Sequence, residues 1–202
     1  MHALAEQYQD DVYQPLRADL YRLMGTLMAT PPSAEVLNAL QTMEIDEAAT
    51  PLVTAVANLV PLAKAANVEE LATIYTSLFI GVGRGELVPY ASWYSSGFVM
   101  DKSLARLRED LRELGFVREE GVSEPEDHVA AICDVMSQLI DSESPVPLDR
   151  QRRFFINHLQ PWLPQFFVEL QSAESSDPFY RAVGQFGECL ILEEKQYLEN
   201  VS

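Results

Sequence analysis

Apolar positions along the chain recur at intervals of three and four, the period of a helix that buries one face. No segment alternates apolar and polar at the period of two that a half-buried strand requires. The first stripe, Leu16, Leu20, Leu23, Met24 and Leu27, predicts a helix over residues 11–29, with Pro15 accommodated in its first turn. Pro31 and Pro32 end it, and Ser33 is placed to cap a short helix reaching about Met43. Thr50 followed by Pro51 is a capping side chain before a proline at the first helical position. It opens a segment to Ala66 that Pro61 is expected to kink or split. Asn67 with Glu70 three residues on has the form of a capping box and starts a helix ending near Phe79.

Residues 81–90 then interrupt the pattern: Gly81, Gly83, Gly85 and Pro89 together forbid a stable helix. Residues 101–114 are amphipathic, with Leu104, Leu107, Leu111 and Leu114 on one face and Gly115 as the left-handed cap. Ser123 with Glu126 repeats the capping-box pattern and predicts a helix from there to about Ser142. The polar, proline-bearing stretch 141–148 reads as a connector or hinge. Helix is expected again over 149–158, a break at Pro161 and Pro164, helix to Ala173, and a last helix opened by Asp177 and Pro178. That helix carries Phe179, Val183, Phe186, Leu190 and Leu198. The fold class is all-α: one compact domain of eight to ten helices spanning 1–202, divisible at the connector into 1–140 and 149–202. Exchange of helices between chains about that hinge would make a domain-swapped homodimer; otherwise the protein is a monomer.

Apolar residues form 48% of 202, enough for a sizeable core without disulfides or metal. The 14 basic residues against 31 acidic ones give a net charge of -17, which argues against nucleic acid and favours a basic partner or plain solubility. Cys133 and Cys189 form no C-x-x-C pair, so a disulfide scaffold is excluded and a reducing compartment fits. The N-terminal residues lack a basic region followed by an apolar one, as a secretory signal would have. No apolar stretch approaches the ~20 residues of a membrane span. A soluble, cytoplasmic protein is the expectation.

Enzyme templates fit poorly. The glycines at 81, 83 and 85 follow a helix, not a strand, and lack the Lys-Ser/Thr ending of a phosphate loop. His2, His128 and His158 are scattered, and no G-x-S-x-G elbow is present. Asp127 and His128 are the residues on which an alternative rests: a helical metal- or ligand-binding enzyme using them as acid, base or ligands. Such a metal site needs three or four ligands, and Glu124, one turn before His128, is the one obvious addition. The segment Glu124-Pro125-Glu126-Asp127-His128 is a good helix start, its carboxylates near the positive dipole end. His128, with Ile132 and Val135 beyond it, sits at the mouth of an apolar face, and beside Asp127 it can face a cationic ligand.

Three runs together resemble the TorD/DmsD/NarJ family of redox-enzyme maturation chaperones. Residues 75–94 (YTSLFIGVGRGELVPYASWY) are similar to that family's Y-x-x-L-F-x-G…P-Y-x-S-x-Y run. Residues 124–128 (EPEDH) match its E-P-x-D-H signature, and residues 158–162 (HLQPW) its H-L-x-P-W. Gly85 and Glu86 stand where many relatives have a proline. The resemblance implies an all-helical cytoplasmic chaperone with no catalytic turnover and no cofactor of its own. Its partner would be the twin-arginine signal peptide on the catalytic subunit precursor of a molybdopterin oxidoreductase, whose cofactor insertion it assists before export. Reductases of dimethyl sulfoxide or trimethylamine oxide and formate dehydrogenase are all compatible clients. By position, the peptide groove would be lined by Tyr75, Phe79, Gly83, Pro89, Tyr90, Asp127 and His128, with Glu86, Glu124 and Glu126 at the rim.

Overall fold

Ten α-helices and two π-helical turns follow one another in the computed structural model, which describes residues 2–45, 50–99, 102–118, 121, 124–141 and 146–201. They are α1 (His2–Ala29), α2 (Ala34–Gln41), α3 (Pro51–Ala65), α4 (Val68–Tyr75), α5 (Ala91–Ser96), α6 (Lys102–Glu113), α7 (Val129–Ile140), α8 (Leu148–Phe154), α9 (Leu163–Ser172) and α10 (Pro178–Asn200). The π turns Thr76–Ile80 and Phe155–Leu159 prolong α4 and α8. No strand forms among the described residues; Tyr90 and His128 make one isolated antiparallel bridge. The all-helical expectation holds.

Local chemistry sets the helix starts where it was legible. The Ser33 hydroxyl accepts from the Val36 amide, Thr50 from Val53, Asn67 from Glu69 and Glu70, and Asp177 from Tyr180. Three elements differ from expectation. Helix α1 begins at His2, so Pro15 lies inside it, and its buried face is Ala18, Tyr21, Met24, Leu27 and Met28 while Leu16 is 49% exposed. An apolar stripe alone misplaces that face because it also buries a charge, Arg17. Helix α3 passes through Pro61 unbroken, held between α2 and α10. Helix α7 begins at Val129, five residues later than a cap at Ser123 would put it; Ser123 and Ser142 lie outside the described residues, as do residues 142–145 of the connector.

Two packed groups make the core. Helix α1 lies along α7, and α10 packs against α9 and α3, with α2 on the far side of α3. Phe154, Phe155, Phe166, Phe167, Phe179, Tyr180 and Phe186 fill the interior of the C-terminal half. Among the described residues no single helix is long and apolar enough to cross a membrane. The pair α3 and α4 with its π turn passes that test only jointly, and it is bent by 119°.

The two groups are joined through a buried polar knot. The Arg17 guanidinium donates from Nε (3.0 Å) and Nη2 to the two oxygens of Glu194, both side chains being almost wholly buried. Tyr197 stacks beneath the guanidinium, its ring centre 4.3 Å away. The Gln151 carbonyl accepts from Arg17, and its amide donates to Val146 O (2.8 Å) and Leu139 O, on either side of the connector. Glu194→Ala would leave the guanidinium buried without its counter-ion, and should lower unfolding free energy in urea by about 3–5 kcal/mol. Replacing both partners together, Arg17→Met with Glu194→Leu, should recover most of that loss.

Candidate functional site

The first motif run is anchored in the core before it reaches the surface. The Tyr75 hydroxyl donates to the Met28 and Ala29 carbonyls at the end of α1 (3.1 Å each), and burial pushes its pKa up to about 12. Phe79 packs edge-on against Tyr75 (4.9 Å between ring centres) and against Tyr180. These two aromatics brace helices rather than line an open groove. The π turn closes when the Gly81 amide donates to Thr76 O (2.7 Å), and the chain then doubles back, Leu87 N–H to Leu78 O (2.8 Å). Gly85 permits this return: a Cβ there would sit 2.4 Å from the Phe79 carbonyl carbon. Gly83 is exposed with open space around it and needs glycine only for its φ of +92°. The Arg84 guanidinium lies over Trp93 (4.8 Å), pinning the loop to α5. The Glu86 carboxylate accepts the Glu174 (2.6 Å) and Ser175 (2.9 Å) amides between α9 and α10, and the Ser175 bond holds its pKa below the usual range. That carboxylate is a loop fastener.

Residues 89–92 and 124–129 are stapled to each other. Pro89 O accepts from Val129 N–H (2.9 Å), Asp127 O from Ala91 N–H (3.0 Å), and Asp127 Oδ2 from Ser92 N–H (2.8 Å). Tyr90 stacks edge-on against His128 (5.1 Å) and its hydroxyl donates to Glu124. Asp127 therefore stands before α7, not within its first turn, and caps the amide end of α5. The capping residue of α7 is His128, whose Nδ1 accepts the Ala130 amide (3.2 Å) and whose proton is accordingly on Nε2. Glu126, assigned to a helix dipole by its sequence position, instead pairs with Arg108 (2.9 Å) and Arg118 (3.1 Å).

The third run turns inward through the second π segment. His158 Nε2 meets Asp110 Oδ2 at 2.6 Å, and His158 O accepts from the Trp162 indole (2.8 Å). Trp162 packs on Tyr94 (5.4 Å), whose hydroxyl donates to Glu169 (2.6 Å). Burial holds both His128 and His158 below the ordinary imidazole value, against the pull of Glu124 and Asp127 on the first and of Asp110 on the second. Burial pushes Asp110 the other way, but His158 and Arg153 outweigh it and keep the carboxyl below its usual range.

One residue or more from each run meets at a cavity of about 390 Å³, walled by Tyr94, Asp110, Asp127, His158 and Trp162, with the exposed Arg106 at its edge. Asp127 is 1% exposed, and its Oδ1 has no hydrogen-bond partner among the described residues. The residues named from sequence thus divide. Pro89, Tyr90, Glu124, Asp127 and His128 come together; Tyr75 and Phe79 belong to the core, Gly83 to an outer turn, and Glu86 to the loop after α9. Sequence reasoning missed Tyr94, Asp110, His158 and Trp162 as site residues. Three of the four lie in the quoted motif runs, whereas Asp110 sits on α6 among charges that look simply solvated. Among the described residues no three His, Cys, Asp or Glu side chains could hold a metal, so the metal-ligand alternative lacks the further ligands it needs.

Two outcomes follow. Asp127→Ala removes the α5 cap and should cost about 1.5–3 kcal/mol in a urea melt, while Asp127→Asn, which keeps an acceptor for Ser92, should cost less than half of that. Because both buried imidazoles bind protons less readily than in the unfolded chain, the stability they confer is complete above about pH 6.5 and is lost as pH falls through their lowered values. Melting temperature should be flat from pH 8 to 7 and decline below about 6.5. His128→Asn, which retains a capping acceptor, should shallow that decline.

The family described as nitrate reductase delta subunit matches residues 41–168, a span containing all three motif runs. The chaperone protein TorD of Actinobacillus pleuropneumoniae serotype 3 is 30% identical over 114 residues, 56% of each chain. TorD of Vibrio cholerae serotype O1 (strain O395) is 30% identical over 141 residues, 65% of this chain and 64% of that one. The chain thus spans less than two thirds of the length of these relatives. A crystal structure described as a redox enzyme maturation protein from Archaeoglobus fulgidus has the same fold, with a TM-score of 0.54 at 23% identity over 84% of this chain and 92% of that one. The family match covers well over half of the chain and every motif residue around the cavity, and on it the chain belongs to the nitrate reductase delta subunit family, the TorD/NarJ group of redox-enzyme maturation chaperones, which are not enzymes.

Proposed function

We propose that the chain is a chaperone for the precursor of a molybdoenzyme catalytic subunit, and that it holds the basic, twin-arginine signal segment of that subunit while cofactor is inserted, before export. It works in the cytoplasm, as a monomer or as a dimer that exchanges helices about the connector. The observation that carries this reading is the unpartnered Oδ1 of Asp127, buried at the wall of a cavity with two aromatic faces. A buried carboxylate oxygen without a donor is costly to keep and is a ready acceptor for a guanidinium. Tyr94 and Trp162 supply flat surfaces against which that group and its aliphatic stem can lie. At longer range, a net charge of -17 draws a cationic segment toward the surface and speeds encounter.

The test is calorimetric titration with a synthetic peptide of paired arginines followed by an apolar stretch, at low and high salt. Wild-type protein should bind with an affinity that falls as salt rises. Asp127→Asn should bind about tenfold more weakly or worse, the worth of a charge-assisted hydrogen bond, while its melt stays close to wild type. Unchanged affinity in Asp127→Asn would sink the assignment of this cavity.

A further inference from the structure

We infer that Asp110, on a helix that carries none of the motif runs, is the second anionic wall of this cavity and gives it a preference for a guanidinium over an ammonium, with His158 as the residue that positions it. The inference rests on the peptide-binding reading above. Asp110 and Asp127 line the same cavity from different elements, α6 and the turn before α7. The Asp110 carboxylate is fixed at both oxygens, Oδ2 by His158 (2.6 Å) and Oδ1 by Arg153 (3.0 Å). Asn157 also bonds this carboxylate, so of the four directions along which its two oxygens accept, three are taken and one remains for a ligand. The Arg153 side chain is 63% exposed and can swing into solvent, whereas the His158 side chain is 8% exposed and cannot.

With His158 neutral, the carboxylates of Asp110 and Asp127 are the fixed charges of the cavity wall, and the cations that offset them, Arg106 and Arg153, are exposed and able to turn to solvent. The groups around the His158 ring are Asp110 from α6, Arg153 and the Phe154 ring (5.0 Å) from α8 and Asn157 from its own π turn, with Arg106 of α6 and Asp127 of the 124–128 turn lining the same cavity. A neutral imidazole donating from Nε2 orients Asp110 without consuming its charge. A guanidinium, planar with five donors, can bond carboxylates on two walls at once; an ammonium is a point charge and gains less from the second wall. Protonated His158 places a competing cation against the same carboxylate. Binding therefore weakens as the solution is acidified, and His158 reports that change to the site.

The experiment titrates the twin-arginine peptide, and the same peptide with both arginines replaced by lysine, against wild type, Asp110→Asn, Asp110→Glu, His158→Gln and Asp127→Asn between pH 8 and 5.5, each variant checked by thermal melt. Wild type should prefer arginine over lysine by about tenfold. Asp110→Asn should lose about tenfold in arginine-peptide affinity and most of the preference. Asp110→Glu keeps the charge one methylene away; should Asp110→Asn fail to fold, it should bind both peptides alike. His158→Gln should bind nearly as wild type at pH 8 but lose less affinity on acidification. Wild-type affinity and preference in both Asp110 variants, with Asp127→Asn impaired, would overturn the role of Asp110 and leave the peptide reading standing. No arginine-peptide binding by wild type would overturn both.

Discussion

Everything at the site depends on how one buried carboxylate divides its oxygens. Asp127 is carried into the interior by two backbone bonds around it, Ala91 to its own carbonyl and Val129 to Pro89, and once there its Oδ2 is consumed as the cap of α5. A short helix of six residues has little stability of its own, and its amide end needs such an acceptor. The same bond sets where Tyr94 lies on α5, and so where the aromatic wall of the cavity stands against Trp162. Fixing Oδ2 leaves Oδ1 buried with no donor among the described residues, on a side chain that belongs to the cavity wall. In the reading proposed above, the structural and the binding demand fall on different atoms of one group, so Ala and Asn at this position should have different consequences.

The contrast with Arg17 and Glu194 is instructive. That pair is as buried as Asp127, yet the charges are matched, the guanidinium also meets Gln151 and lies over Tyr197, and nothing is left for a ligand. Such a knot is weak evidence of net stability and better evidence of a fixed arrangement, because either partner alone would be intolerable. It holds α1, α8 and α10 in register and, through Gln151, both edges of the connector. The C-terminal half, which supplies His158 and Trp162, is thereby tied to the N-terminal half, which supplies Asp127.

Helix number and most helix starts were legible in the sequence because their causes are local: Ser33, Thr50, Asn67 and Asp177 reach amides two or three residues away. The start of α7 was misread for the opposite reason. Ser123 with Glu126 imitates a capping box, but Glu126 is captured by Arg108 and Arg118, and the stapling of residues 124–129 to 89–92 holds the chain out of helix until His128. Tyr75 and Phe79 belong to a quoted motif, yet that membership does not say whether an aromatic faces a ligand or a core. The π turns have no signature in residue type, and they set the orientation of Phe79 and His158. Asp110 is invisible in sequence because an acidic residue in an amphipathic helix reads as solvated; only α8 and its π turn, packed alongside, make it a partner of His158.

Chemistry at the cavity also argues for holding rather than transforming. A general base or nucleophile has to be available to a substrate proton or carbon. In the cavity wall His158 spends Nε2 on Asp110, and His128, next to Asp127 but outside that wall, spends Nδ1 on the Ala130 amide. Cys133 is buried and pushed well above the ordinary thiol range by that burial, which leaves no thiolate to react. What remains unspent is acceptor capacity, on Asp127 Oδ1 and on the Asp110 carboxylate, together with two aromatic faces. An arrangement of that kind is suited to receiving a cation and an apolar stem without reacting with them, in keeping with the holding role proposed above.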